Sequence, residues 1–94
     1  MKVGVVAIHY PRPEHRDEMI FRVRRAAEVM EATPGCLTAD CWVSTDGQAV
    51  VTTGQWESEP ALIAGFEAVQ AADVDFDYDE RESRPREVVT LLSV

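Results

Sequence analysis

Few side chains in this sequence are equipped for chemistry, and their spacing narrows what each can do. His9 ends an apolar run, "KVGVVAIHY", beside Tyr10. An imidazole with an ordinary pKa near 6.5 can take up a proton at neutral pH, so His9 is the better candidate general base. The competing reading is a strand-end histidine that is solvated or bonded to backbone. His15 falls in an early helix turn and is expected at the surface. Cys36 and Cys41 could join the histidines as metal ligands, but structural zinc sites usually present close pairs such as Cys-x-x-Cys. Here the cysteines are five residues apart and the histidines six, which argues against a metal.

The stretch "DVDFDYDE", residues 73–80, invites a calcium reading. A calcium-binding EF-hand loop beginning at Asp73 would place Tyr78 at its sixth position, where a glycine must turn. It would place Arg84 at the twelfth, where a bidentate glutamate belongs. Beginning at Asp75 gives Glu80 and Arg86 at those positions and is no better. The alternation instead suits an extended, half-buried segment, with Val74, Phe76 and Tyr78 to one side and the aspartates in solvent near Arg81, Arg84 and Arg86.

The elements that must position these residues follow from pattern. Residues 2–10 form a β-branched apolar run of the kind covered on both faces, ended by Pro11 and Pro13. Residues 14–33 carry Met19, Ile20, Val23, Ala26, Ala27 and Met30 on one helical stripe, stopped by "TPG". Residues 36–45 and 48–57 read as two strands around Asp46-Gly47, a two-residue hairpin signal. Ser58 caps a helix over 59–71 with Pro60 in its first turn. Residues 86–94 form the last strand. This order predicts a single α+β domain over residues 1–94. It is the ferredoxin-like βαββαβ arrangement, an antiparallel sheet with two helices on one face.

A two-residue turn pairs Thr45 with Gln48, Val43 with Val50, Cys41 with Thr52, Ala39 with Gly54, and Leu37 with Trp56. Those residues share a face that should meet the helices. The opposite face carries Asp40, Trp42 and Val51. On the first strand, Val3, Val5 and Ala7 point one way and Gly4, Val6 and Ile8 the other. Helices on one side cannot cover both, so a homodimer with sheets packed face to face is expected. On one strand, Cys36 and Cys41 would face opposite ways about 16 Å apart, beyond the roughly 7 Å reach of a disulfide. Two free thiols fit a reducing, cytoplasmic setting.

The net charge of −8 opposes binding to a nucleic-acid backbone. No apolar run approaches the roughly 20 residues that cross a bilayer, and the short apolar start lacks the pattern of a signal peptide.

The strand, the helix ending "PGCL", and the hairpin ending "QWESEPAL" that enters a second helix together resemble the antibiotic biosynthesis monooxygenase domain family, within the dimeric α+β barrel superfamily. The likeness covers residues 1 to about 70. It implies a dimer with a cavity between sheet and helices in each subunit. In some members that cavity binds an aromatic polyketide or quinol, oxidised by dioxygen without metal or flavin. Trp56 matches the family's tryptophan at the end of strand three. Thr52 stands where the polyketide oxidisers have asparagine, Leu62 where they have tyrosine, and Phe66 where haem degraders have histidine. In many members a short helix covers one end of the pocket; here the acidic segment would act as an extended lid, with Phe76 and Tyr78 beneath it. The implied function is a cofactor-independent monooxygenase of a small aromatic or quinol. His9 and Trp56 would be catalytic, and Thr52, Leu62, Phe66 and Tyr78 would meet the substrate. The alternative is a non-catalytic dimeric module that binds a small apolar ligand or simply assembles.

Overall fold

The computed structural model describes all residues, 1–94. Strand β1 (Val3–His9) is followed by a 3-10 turn at Pro13–His15 and helix α1 (Arg16–Glu31). Strands β2 (Cys36–Val43) and β3 (Val50–Trp56) make a hairpin, helix α2 (Glu59–Ala71) follows, and β4 (Glu87–Leu92) closes the chain. The sheet order is β2-β3-β1-β4, antiparallel throughout, with α1 and α2 on one face. This is the expected ferredoxin-like fold.

Three local details differ from expectation, each for a physical reason. The first helical turn is 3-10, because His15 takes φ −111°, ψ 6° and leaves the α-helical basin before α1 begins. The hairpin connection is wider than two residues. The Ser44 N–H donates to the Ala49 carbonyl, the Gly47 N–H donates to the Ser44 carbonyl, and the Asp46 carboxylate accepts from Ser44 Oγ and the Gln48 N–H. Gly47 sits at φ +75°, where a side chain would be strained. The pairing beyond the loop is unchanged, with Val43 opposite Val50 and Cys41 opposite Thr52.

The third difference is a bulge between Cys36 and Thr38. It puts Cys36, not Leu37, across from Trp56, and leaves Leu37 exposed. A bulge reverses side-chain parity, so Cys36 and Cys41 both face the helices and pack against the core, contrary to the alternation expected of one regular strand. Both are free thiols, and burial pushes each above the ordinary thiol range.

The core lies between sheet and helices. Trp56, wholly buried, packs with Val3, Val5, Ala26, Ala27, Met30, Leu62 and Val69. Gly65 lets α2 approach it: a Cβ there would stand 2.2 Å from the indole. At the other end of α1, Met19 and Val23 close over Val50 in a smaller cluster. Beyond α2, residues 72–86 form an irregular strap that returns across the helix side to β4.

On the open face Val6, Ile8 and Val51 are half-buried, while Trp42, Val89 and Leu91 are exposed. β4 is exposed along its whole length.

Candidate functional site

Strand register fixes the first member of the site. Val3 pairs with Trp56 and His9 with Val50, so Val3, Val5, Ala7 and His9 share the helix-side face with Trp56, Thr52 and Val50. His9 is therefore buried although it ends its strand. It also stands six residues along the strand from the Trp56 end, about 20 Å at the rise of an extended chain. One small ring cannot touch both.

The strap supplies His9 with its neighbours. An isolated bridge joins Pro11 to Glu82. The Arg12 N–H donates to the Arg81 carbonyl at 2.8 Å and the Ser83 N–H to the Tyr10 carbonyl at 2.7 Å. Glu82 is thereby turned inward, and its side chain is almost fully buried. One carboxylate oxygen lies 3.5 Å from His9 Nδ1; the other forms an ion pair with Arg86. Arg86 also donates to the Phe76 carbonyl at 2.8 Å and to that of Asp77 at 3.3 Å. Arg22, buried on α1, donates to the Asp75 carbonyl at 2.9 Å. The Phe76 ring lies on the His9 imidazole, centroids 6.2 Å apart and planes 27° from parallel.

Burial holds His9 below its ordinary pKa, and the positive charges of Arg86 and Arg22 push the same way against the opposing pull of Glu82. The imidazole is neutral at pH 7. Of five buried polar side-chain atoms without a hydrogen-bond partner, four belong to this cluster, His9 Nδ1, Glu82 Oε1, Arg86 Nε and Arg22 Nε, and the fifth is Trp56 Nε1 in the core. A buried polar atom left unpaired typically costs about 1–3 kcal/mol, so the cluster is held less completely than the apolar core.

An outer latch surrounds it. Arg81 bonds the carboxylates of Glu18, Asp75 and Asp79. The Arg81 hydrogen bonds hold the Asp79 carboxyl at about 2, and the Asp77 N–H, with Arg81 second, holds Asp75 below its usual range.

The other residues singled out in the sequence are distributed along the layer. Thr52 is buried on β3 in the same face as His9. Leu62 packs with Trp56 in the core at the far end. Phe66 is 40% exposed on α2. In the strap, Val74 and Phe76 turn inward against the core, but Tyr78 is 52% exposed and Arg86 stands over its ring at 5.7 Å. The five principal clefts lie elsewhere, and none is lined by His9, Thr52, Trp56, Leu62, Phe66 or Phe76. Sequence reasoning missed Glu82, Arg86 and Arg22. The acids near Arg81, Arg84 and Arg86 read as solvated, and nothing local marks the one that turns inward.

A family profile described as antibiotic biosynthesis monooxygenase matches residues 2–71, nearly three-quarters of the chain. The chain belongs to the antibiotic biosynthesis monooxygenase family. Among solved structures it is similar to Rv0793 from Mycobacterium tuberculosis, at 25% identity and a TM-score of 0.80, covering 100% of this chain and 96% of that one. It is similar in fold to a crystal structure described as antibiotic biosynthesis monooxygenase, at 21% identity and a TM-score of 0.78, with 98% of each chain covered. The same holds for a conserved protein from Methanosarcina mazei Go1, at 15% identity and a TM-score of 0.84, covering 97% of this chain and 91% of that one. No curated protein matches. Within this member of the family, His9 falls inside the matched residues, while Glu82, Arg86 and Phe76 come from the strap beyond them. No helix is long and apolar enough to cross a membrane.

Proposed function

We propose that this family member oxidises a small phenol or quinol with dioxygen, without metal or flavin, and that His9 is the base. The observation that carries the reading is a buried, neutral imidazole set between a carboxylate and an aromatic ring. A base in that setting can take a phenolic proton while apolar surroundings exclude water. In this reading the N–H sits on Nδ1, the nitrogen 3.5 Å from the Glu82 carboxylate, and the Nε2 lone pair is left for the substrate. The resulting phenolate gives electrons to dioxygen. One oxygen atom enters the ring carbon, the other leaves as water, and the ring loses two hydrogens to become a quinone. Thr52 lines this end of the layer. On the same reading Trp56 and Leu62 close the far end of the core, and Phe66 and Tyr78 meet the substrate only from their exposed positions.

The working unit in this proposal is a cytoplasmic homodimer. Support comes from Val6, Ile8, Val51, Trp42, Val89 and Leu91, an apolar band on the face away from the helices. The dimer reading expects sedimentation at twice the 10.5 kDa chain mass, and Trp42→Glu with Val89→Glu should halve it. A stable wild-type monomer at high dilution would remove the dimer.

A second reading, a non-catalytic binding or assembly module, is favoured by Trp56. It is wholly buried and fills the space where a pocket between sheet and helices was expected. Oxygen uptake with quinols and anthrone-type phenols in air separates the two. Catalysis predicts uptake above the protein-free rate that falls about 100-fold or more in His9→Ala, the usual scale of a lost general base. Uptake no faster than buffer for every substrate supports the module instead.

A further inference from the structure

We propose that Phe76 occupies the place of a substrate ring against His9, and that residues 73–79 are a gate that carries it away when a phenol or quinol enters. The proposal rests on the reading of His9 as the base, because it explains how a buried base could be reached. Phe76 already holds an aromatic plane over the imidazole. It is also one of only two residues, with Cys41, that pack against both hydrophobic clusters, so its departure would open the junction between them.

The segment is built to move. From Val74 to Tyr78 no backbone N–H donates to another backbone group. The segment is held instead by side chains: Arg22 at the Asp75 carbonyl, Arg86 at those of Phe76 and Asp77, and Arg81 at the carboxylates of Asp75 and Asp79. Asp75 and Asp79 are substantially exposed, and exposed ion pairs hold weakly and loosen with salt. The segment begins at Asp73, whose φ of +58° is the left-handed turn that commonly ends a helix, so the chain beyond it leaves α2 free of helical hydrogen bonds. Glu82 is also anchored outside the segment by the Pro11 bridge, so when the gate opens and the bonds from the Glu82 N–H to the Asp79 carbonyl and from Arg86 to Phe76 and Asp77 break, the carboxylate keeps a hold beside His9.

The test titrates phenol into wild type, Phe76→Ala and Arg81→Gln, reading the His9 ring resonances by NMR, with oxygen uptake measured in parallel. A gate makes the wild-type affinity weaker by the fraction of molecules that are open, so Phe76→Ala should bind about tenfold tighter or more. Arg81→Gln keeps Phe76 and the core but unlatches the segment. It should tighten binding severalfold and lose the salt dependence expected of wild type, and it serves alone if Phe76→Ala does not fold. Equal phenol response at His9 in wild type and the folded variants, or no response in any, overturns the gate. Tighter binding without oxidation supports the gate and retires His9 as a catalytic base. Oxidation by wild type that neither variant accelerates, with no tighter binding, keeps the base and overturns the gate.

Discussion

The two ends of the helix-side layer solve opposite problems. At the β3 exit, Trp56 is enclosed by aliphatic side chains and by a glycine that only just admits it, with its indole N–H as the one unpaired polar atom. At the β1 exit, His9 is enclosed by a carboxylate, guanidinium groups and one aromatic ring, with four polar atoms unpaired. Both side chains are buried and both lie on the same face of adjacent strands. The difference is in what covers them: α2, a regular helix, at one end, and an irregular strap held by arginines at the other. Burial alone therefore does not mark a site. What distinguishes the His9 end is burial of groups that could react, under a cover made of reversible contacts.

The largest test of this contrast is Trp56→Ala. Removing a buried indole typically costs about 3–5 kcal/mol, since the transfer term and the residual cavity add. Urea unfolding should show a loss of that size, and Gly65→Ala should also destabilise, because its Cβ would meet the ring at 2.2 Å. A loss under about 1 kcal/mol for Trp56→Ala would mean that the Trp56 end is loosely packed, with room for a ligand, and would erase the contrast.

A smaller loss is expected at the other end. Glu82→Ala removes one partner of an enclosed ion pair, which costs about 3–5 kcal/mol when both ions are fully buried. The Arg86 side chain is 21% exposed and can turn to water, so about 2 kcal/mol is the expected size. The double variant with Arg86→Met should recover part of it, and a double-mutant cycle by urea unfolding measures the coupling. Coupling near zero would show that Glu82 and Arg86 are neighbours without being partners.

How much of this was legible in the sequence divides along the same line. The Trp56 end was readable, because period-two alternation and the Asp46-Gly47 turn set the hairpin register, and that register aims Trp56 at the helices. The reading failed at the turn itself, which is wider than two residues, and at Cys36 and Leu37, where one inserted residue reverses parity without leaving a mark in composition. The strap was half readable. The alternation of residues 73–79 puts Val74 and Phe76 inward, but it cannot say where the segment ends its cover, and Tyr78 falls beyond that edge. Glu82 was not readable at all. It is turned inward by a bridge to Pro11, a contact across more than seventy residues, and local pattern carries no information about such pairings. His9 could be named as a base from its type and strand position, but its carboxylate could not.

The smallest effect is the most specific to the His9 end. His9 has a folded pKa below its unfolded value of about 6.5. Above that pH it is neutral in both states and its contribution to stability is fully present. As pH falls from about 6.5 toward the lower folded value, the unfolded chain binds the proton first, so stability declines. Desolvation is the largest cause of this direction; Arg86 and Arg22 add to it by opposing the charge, and Glu82 favours the charge. The strap carboxylates act in another window, since Asp75 and Asp79 are held below their usual range and yield only as pH drops under about 4. Urea midpoints measured from pH 8 to pH 4.5 should therefore fall in wild type by a modest amount. Trp56→Leu should lower the whole curve without changing its slope. His9→Gln, which cannot take up a proton, should flatten the curve between pH 6.5 and pH 4.5 whatever it does to stability at pH 8. An unchanged slope in His9→Gln would locate the acid sensitivity elsewhere, and the imidazole would then be better hydrated than its buried position implies.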